Sequence, residues 1–102
     1  MKAKIKGNRA EAEIVELLRA AGYEALRSSG SGSSKYSEGD ITGTPFHIEV
    51  KRQERICIAD WCKQAESQAK DKPAMVIFRR SREPWRVCML LADLLDNLKV
   101  EL

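Results

Sequence analysis

The apolar run Ala74-Met75-Val76-Ile77-Phe78 is the most constraining stretch of the chain. An unbroken run of this kind suits a strand buried in a sheet, with other layers packed against it, rather than a strand with a wet side. The rest of the sequence supplies those layers. From Asn8 to Ala21, apolar residues at Ala10, Ile14, Leu17, Leu18 and Ala21 recur at helical spacing, and Gly22 marks a stop. "YEALR" reads as a short strand, and "DIT" and "FHIEVK" read as two more, joined by the turn "GTP". Residues 58 to 71 fit a second helix with Ile58, Trp61, Cys62, Ala65 and Ala69 on one side, ended by Pro73. "WRVCML" is a partner strand for the apolar run, and "ADLLDNL" a short closing helix. Helix, three strands, helix, two strands, helix predicts an α/β fold, a mixed central sheet flanked by helices. At 102 residues, 1–102 make a single domain with one modest core.

With 43% hydrophobic and 32% charged residues, the balance is that of a chain that folds rather than a disordered one. The formal charge of +3 is compatible with a polyanionic partner. The charges cluster: Lys2, Lys4 and Lys6, then Lys51, Arg52 and Arg55, then Arg79, Arg80, Arg82 and Arg86. Cys57, Cys62 and Cys88 form no CxxC pair and His47 is the only histidine, so neither a disulfide framework nor a zinc site is expected. No signal peptide or spanning apolar run is evident, and a reducing cytoplasm is the expected location, with no membrane partner.

In "FHIEVK" the alternation sends Phe46, Ile48 and Val50 one way and His47, Glu49 and Lys51 the other. Glu49 and Lys51 therefore leave one face about 6.6 Å apart along the backbone. Asp40 opens the preceding strand, and pairing around the short turn brings its carboxylate toward Glu49. Two converging carboxylates form a hard oxygen site of the kind that holds Mg²⁺ together with waters and substrate phosphate oxygens. Phosphodiester cleavage needs a polarised phosphoryl oxygen, an activated water and cover for developing charge, and this trio can provide all three. The alternative for Glu49 and Lys51 alone is an exposed ion pair. A third acid bears on the choice. Taking about 100° per residue, Glu11 lies roughly 65° from the centre of the first helix's apolar stripe, nearer than Glu13 or Glu16. It is either a salt-bridged border residue or an acid aimed between helix and sheet.

Taken in order, "KGNRAE", "GYEALRSSGS", "GDI" and "IEVK" resemble the PD-(D/E)XK nucleases. Within that superfamily they are similar to the small, VRR-NUC-like Holliday junction resolvases of archaeal and phage type. The resemblance runs through nearly the whole chain and implies a restriction-endonuclease-like core. It departs from the family in two respects, since glycine rather than proline precedes Asp40 and the chain is shorter than many resolvases.

The resemblance implies a metal-dependent endonuclease acting on DNA, foremost on four-way junctions. The alternatives are another DNA structure as substrate, or a non-catalytic DNA-binding module of this fold. Catalytic residues implied are Glu11, Asp40, Glu49, Lys51 and Gln64, the last with Gln68 as its alternate one turn later. Asp40, Glu49 and Glu11 are the implied ligands of Mg²⁺, with Mn²⁺ able to substitute. Arg27, Ser29, Ser31, Lys35, Arg52 and Arg55 are the implied DNA contacts. Residues 28 to 39, rich in Ser and Gly, have too little chain before them to link two domains, so they read as a loop placed to meet a DNA backbone, with a merely tolerated insertion as the alternative. The expected partners are branched double-stranded DNA and a second copy of the chain. The dimer surface is sought among Trp61, Trp85, Leu94, Leu95 and Leu98, with core packing as the alternative for each, and base stacking a lesser one for the tryptophans. The expected setting is the cytoplasm of a bacterial, archaeal or phage-infected cell.

Overall fold

A computed structural model describes residues 2–28 and 39–99, with side chains from Asn8 onward. The elements are α1 (Lys2–Ala20), β1 (Leu26–Arg27), β2 (Ile41–Thr42), β3 (His47–Arg52), α2 (Ile58–Gln68), β4 (Ala74–Arg79), β5 (Arg86–Met89) and α3 (Leu91–Asn97). The strands form one sheet in the order β1-β2-β3-β4-β5. Neighbours are antiparallel except β3 and β4, which run parallel from His47 beside Ala74 to Arg52 beside Arg79. A parallel pair needs a long crossover, and α2 is that crossover. The architecture is the mixed α/β sheet that the sequence pattern predicts.

The apolar run is buried on both sides, as its composition requires. Met75 and Ile77 pack with Ile48 and with Ile14 and Val15 of α1, while Ala74, Val76 and Phe78 pack with Trp61 and Ala65 of α2. The two helices therefore cover opposite faces. No helix among the described residues is long and apolar enough to cross a membrane.

Several boundaries move. The helical backbone of α1 reaches back to Lys2, and it ends with Gly22 at φ 106°, where Tyr23 N–H donates to Leu18 O and Gly22 N–H to Arg19 O, both at 3.0 Å. This is a Schellman stop. The first strand shrinks to two residues. Helix α2 stops at Gln68 rather than residue 71, because the chain must turn back to let Pro73 O accept from His47 N–H at 2.9 Å and start β4 beside β3.

The buried stripe of α1 is also rotated. Val15 is buried, whereas Leu17 is 53% exposed and Ala21 is exposed. With Ala10, Ile14, Val15 and Leu18 inward, Glu11 falls about 30° from the stripe's centre. Helical spacing alone could not separate Val15 from Leu17, since both border the same apolar arc.

Both tryptophans are engaged within the chain. Trp61 is buried with its ring centroid 6.0 Å from that of Phe78. Trp85 packs against the α1 core, donates from Nε1 to Glu13 Oε1 at 2.9 Å, and carries the Arg79 guanidinium 4.8 Å from its ring centroid. Their place as dimer-surface or base-stacking candidates is taken by packing. Leu94, Leu95 and Leu98 are exposed, together with Val87, Leu90 and Leu91. Cys62 Sγ of α2 lies 3.0 Å from Cys88 Sγ of β5, an approach of two free thiols that no sequence spacing announces. Burial and that contact push the Cys62 thiol up to about 12.

Candidate active site

Asp40 is stitched to two strands at once. Its N–H donates to Ile48 O at 2.7 Å, its carbonyl accepts from Ser28 N–H at 2.9 Å, and its Oδ2 accepts from Val50 N–H at 2.7 Å. The residue before it makes this possible. Gly39 has φ 87°, and a Cβ built there would lie 2.6 Å from Ile48 O. Proline, fixed near φ −65°, cannot adopt that backbone, so the departure from the family's eponymous proline is a requirement of this turn.

Glu49 and Lys51 occupy the face of β3 opposite Ile48 and Val50, as alternation predicts. Glu49 is held from below. His47, buried on the same face, has Nε2 3.0 Å from Glu49 Oε1. Burial lowers the His47 pKa, outweighing the pull of Asp40, so the ring is neutral near pH 7 and Nε2–H is the donor that suits a carboxylate. His47 is the site residue that sequence reasoning missed in this role. Its signal was present, two residues from Glu49 on one strand face.

Burial, then the charge of Asp40 and a hydrogen bond with it, push Glu49 up to about 7. Glu11 adds to the rise, and Lys51 opposes it. Glu11 is itself raised, by burial first and then by Asp40, against the lowering effect of Arg27. The three acids thus feel one another across α1, the start of β2, and β3. Among neighbours of this charge, Glu49 keeps its proton to about 7 unless a cation offsets the charge. Among the described residues no group of three His, Cys, Asp or Glu closes on one point. A pair of carboxylates is nevertheless the donor set that suits Mg²⁺, which keeps several waters and takes one or two carboxylates from the protein.

This geometry has a testable cost. Glu49 is protonated in both folded and unfolded chains well below pH 4.5, its ordinary value. Between there and about 7 the unfolded chain ionises while the folded one holds its proton. Metal-free protein should therefore lose stability as pH rises through that window, by about 2–3 kcal/mol in total once solvent screening of this partly exposed carboxyl is allowed for. Urea midpoints at pH 5 and pH 8 should differ in that direction, and millimolar Mg²⁺ should narrow the gap at pH 8. A metal-free midpoint higher at pH 8 would contradict the raised Glu49 carboxyl.

The remaining residues implied by the resemblance divide. Arg27 Nε donates to Glu11 Oε1 at 3.1 Å and its Nη2 to Asn8 Oδ1 at 2.8 Å, so α1 holds this guanidinium beside the acids with 43% of its side chain exposed. Arg52 is half-buried with its Nε unpartnered, and Arg55 is exposed. Gln64 and Gln68 are exposed on α2, and among the described residues no hydrogen bond joins either side chain to the acids. Ser29, Ser31 and Lys35 lie outside the described residues.

No curated protein matches the sequence. Among solved structures, the chain is similar to Hjc of Archaeoglobus fulgidus, a Holliday junction resolvase from an archaeal hyperthermophile. The TM-score is 0.62 and the identity 28%, covering 81% of this chain and 76% of that one. The model of a family described as phage putative PDDEXK endonuclease matches residues 2–101. A match along that length makes this protein a member of the phage PDDEXK endonuclease family.

Proposed function

We propose that the protein is a divalent-metal-dependent endonuclease that hydrolyses DNA phosphodiester bonds, with the four-way junction as its principal substrate. The observation that carries the chemistry is the Asp40–Glu49 pair, two carboxylates forced together with Glu49 raised to about 7, beside Lys51. Mg²⁺ is the ion that fits, with Mn²⁺ able to substitute. Asp40 and Glu49 would hold it, with Glu11 behind them. When bound, the ion polarises a phosphoryl oxygen and acidifies a water.

The chain's own residues account for the rest. Val50 N–H fixes one Asp40 oxygen and His47 fixes one Glu49 oxygen, so both carboxylates are oriented before substrate arrives. Lys51 places an ammonium on the same face, where negative charge develops on the phosphoryl group. Arg27, held by Asn8 and Glu11, presents its exposed edge to the DNA backbone.

The junction reading draws on the likeness to Hjc and on a structural feature, the exposed stripe of Leu91, Leu94, Leu95 and Leu98 along one side of α3. Single modest domains rarely leave so many large apolar residues in water. A second copy of the chain would cover them, and a two-fold dimer sets two sites against two strands, as resolution requires. Wild-type protein with Mg²⁺ should nick a four-way junction in symmetric pairs and leave linear duplex largely uncut, with no nicking in EDTA. Leu94→Glu with Leu95→Glu should give a monomer in sedimentation and uncouple the paired nicks. Equal cutting of duplex and junction by a wild-type monomer would remove the resolvase assignment and leave the nuclease one.

A further inference from the structure

The chain has a second basic feature, at the hairpin between β4 and β5. A cleft of about 320 Å³ there is lined by Ile56, Phe78, Arg79, Arg80, Glu83 and Arg86. The sheet register ties it to the acids. Lys51 is the ladder partner of Phe78, and Phe78 of Arg86, so these side chains leave the same face in one row. At roughly 4.8 Å per strand, the backbones of Lys51 and Arg86 stand about 10 Å apart.

The arginines of this cleft are not equivalent. Arg79 is committed to Glu13, at 3.5 Å, and to the Trp85 ring. Arg80 and Arg86 are exposed, and among the described residues no ion pair engages either one. Glu83, also exposed, is the one carboxylate in the lining. The hairpin that presents them is braced, since Ser81 N–H donates to Glu54 Oε2 at 3.0 Å and Arg82 turns the chain at φ 65°. Two uncommitted guanidinium groups at a braced hairpin, Arg86 in the same cross-strand row as Lys51, suit a bidentate oxyanion rather than an apolar ligand.

We propose that this cleft is a second phosphate subsite, in which Arg80 and Arg86 grip a backbone phosphate of the DNA near the one being cut. The assignment rests on the nuclease reading above. Contacts of this kind set the register of the substrate without reading its sequence. They explain why the arginines cluster at this hairpin rather than being spread over the surface. Glu83 acts against the grip, so its removal should tighten it.

The test is DNA binding by the full chain carrying Lys51→Ala, which prevents turnover, with and without Arg80→Ala and Arg86→Ala. Losing two phosphate contacts should make the fall in affinity between about 50 and 200 mM salt roughly tenfold smaller. It should do so equally for unrelated sequences. A series of junctions in which single phosphates near the cut are replaced by neutral methylphosphonates then locates the contact. At one or two positions the neutral phosphate should weaken binding of the parent protein and leave the double arginine variant unaffected. Glu83→Gln should bind DNA more tightly than the parent. Equal losses for parent and arginine variant at every position, with unchanged salt dependence, would overturn the subsite. If protein with Lys51 intact nicks DNA while that result is obtained, the subsite alone fails. If it nicks no DNA with Mg²⁺, the nuclease reading fails and takes the subsite with it.

Discussion

Glu49→Gln is expected to lower Mg²⁺-dependent cleavage by at least about a thousandfold, equivalent to ~4 kcal/mol of transition-state stabilisation, and at the same time to make the metal-free protein more stable. The two effects have one cause. Glu49 is held among acids that a cation would neutralise, and without the cation its ionised form is a burden on the fold. Glutamine keeps an oxygen for His47 Nε2–H and removes the charge. The gain should be largest at pH 8, where the native carboxyl would be ionised at a folded-state value of about 7, and nearly absent at pH 5, where the native group already holds its proton. For a chain of this size a gain of 2–3 kcal/mol corresponds to a Tm rise of roughly 10 to 20 °C. Asp40→Asn and Lys51→Ala should remove cleavage to a similar degree with the fold retained. Cleavage kinetics and thermal melts on the same preparations check both halves. Near wild-type turnover by the glutamine variant, or a lower metal-free Tm at pH 8, would contradict the assignment of this acid.

Gly39→Ala should be among the most damaging single substitutions in the chain, costing about 4 kcal/mol or more. The added Cβ meets backbone atoms, Ile48 O at 2.6 Å and Ile48 N at 3.1 Å, which no side-chain rotation can clear. The left-handed φ of 87° adds its own penalty. Relief requires β3 to move away from Asp40, which would stretch the 2.7 Å bond from Asp40 N–H to Ile48 O and separate the two carboxylates. Activity should fall even under conditions where the variant stays folded. Gly22→Ala is the matched control, since a Cβ at that left-handed glycine meets nothing within 4 Å. It should cost only about 1–2 kcal/mol and leave cleavage intact. Comparable losses at the two glycines would show that backbone conformation, rather than the approach to Ile48, sets the cost.

The parts of this molecule that could be read from sequence are those governed by short periods. Alternation in "FHIEVK" placed Glu49 and Lys51 together and opposite Ile48 and Val50, and the unbroken run at 74–78 announced a strand covered on both faces. What could not be read depends on which elements meet. The rotation of α1 that buries Val15 and exposes Leu17 is decided by the sheet, not by the helix. The 3.0 Å approach of Cys62 to Cys88 depends on Cys88 standing beside Val76 in the ladder, a register invisible to spacing. Arg27 illustrates the same limit. It is implied in the sequence as a DNA contact at a strand end, and nothing there announces that the neighbouring helix supplies Asn8 and Glu11 to hold it.

The parallel ladder between β3 and β4 has a consequence for the order in which the molecule is made. Pairing of this kind cannot form until the whole of α2 has been synthesised and folded back, and contacts so distant in the chain form slowly. Glu11 lies on the first helix, Asp40 and Glu49 are brought together by the middle strands, and the bond from Trp85 to Glu13 that pins α1 spans 72 positions. A nascent chain that has not yet delivered β4 and β5 therefore lacks the parallel ladder beside β3 and the Trp85 bond that pins α1. A chain cut short before β4 should accordingly fail to nick DNA under conditions in which the 102-residue chain does so.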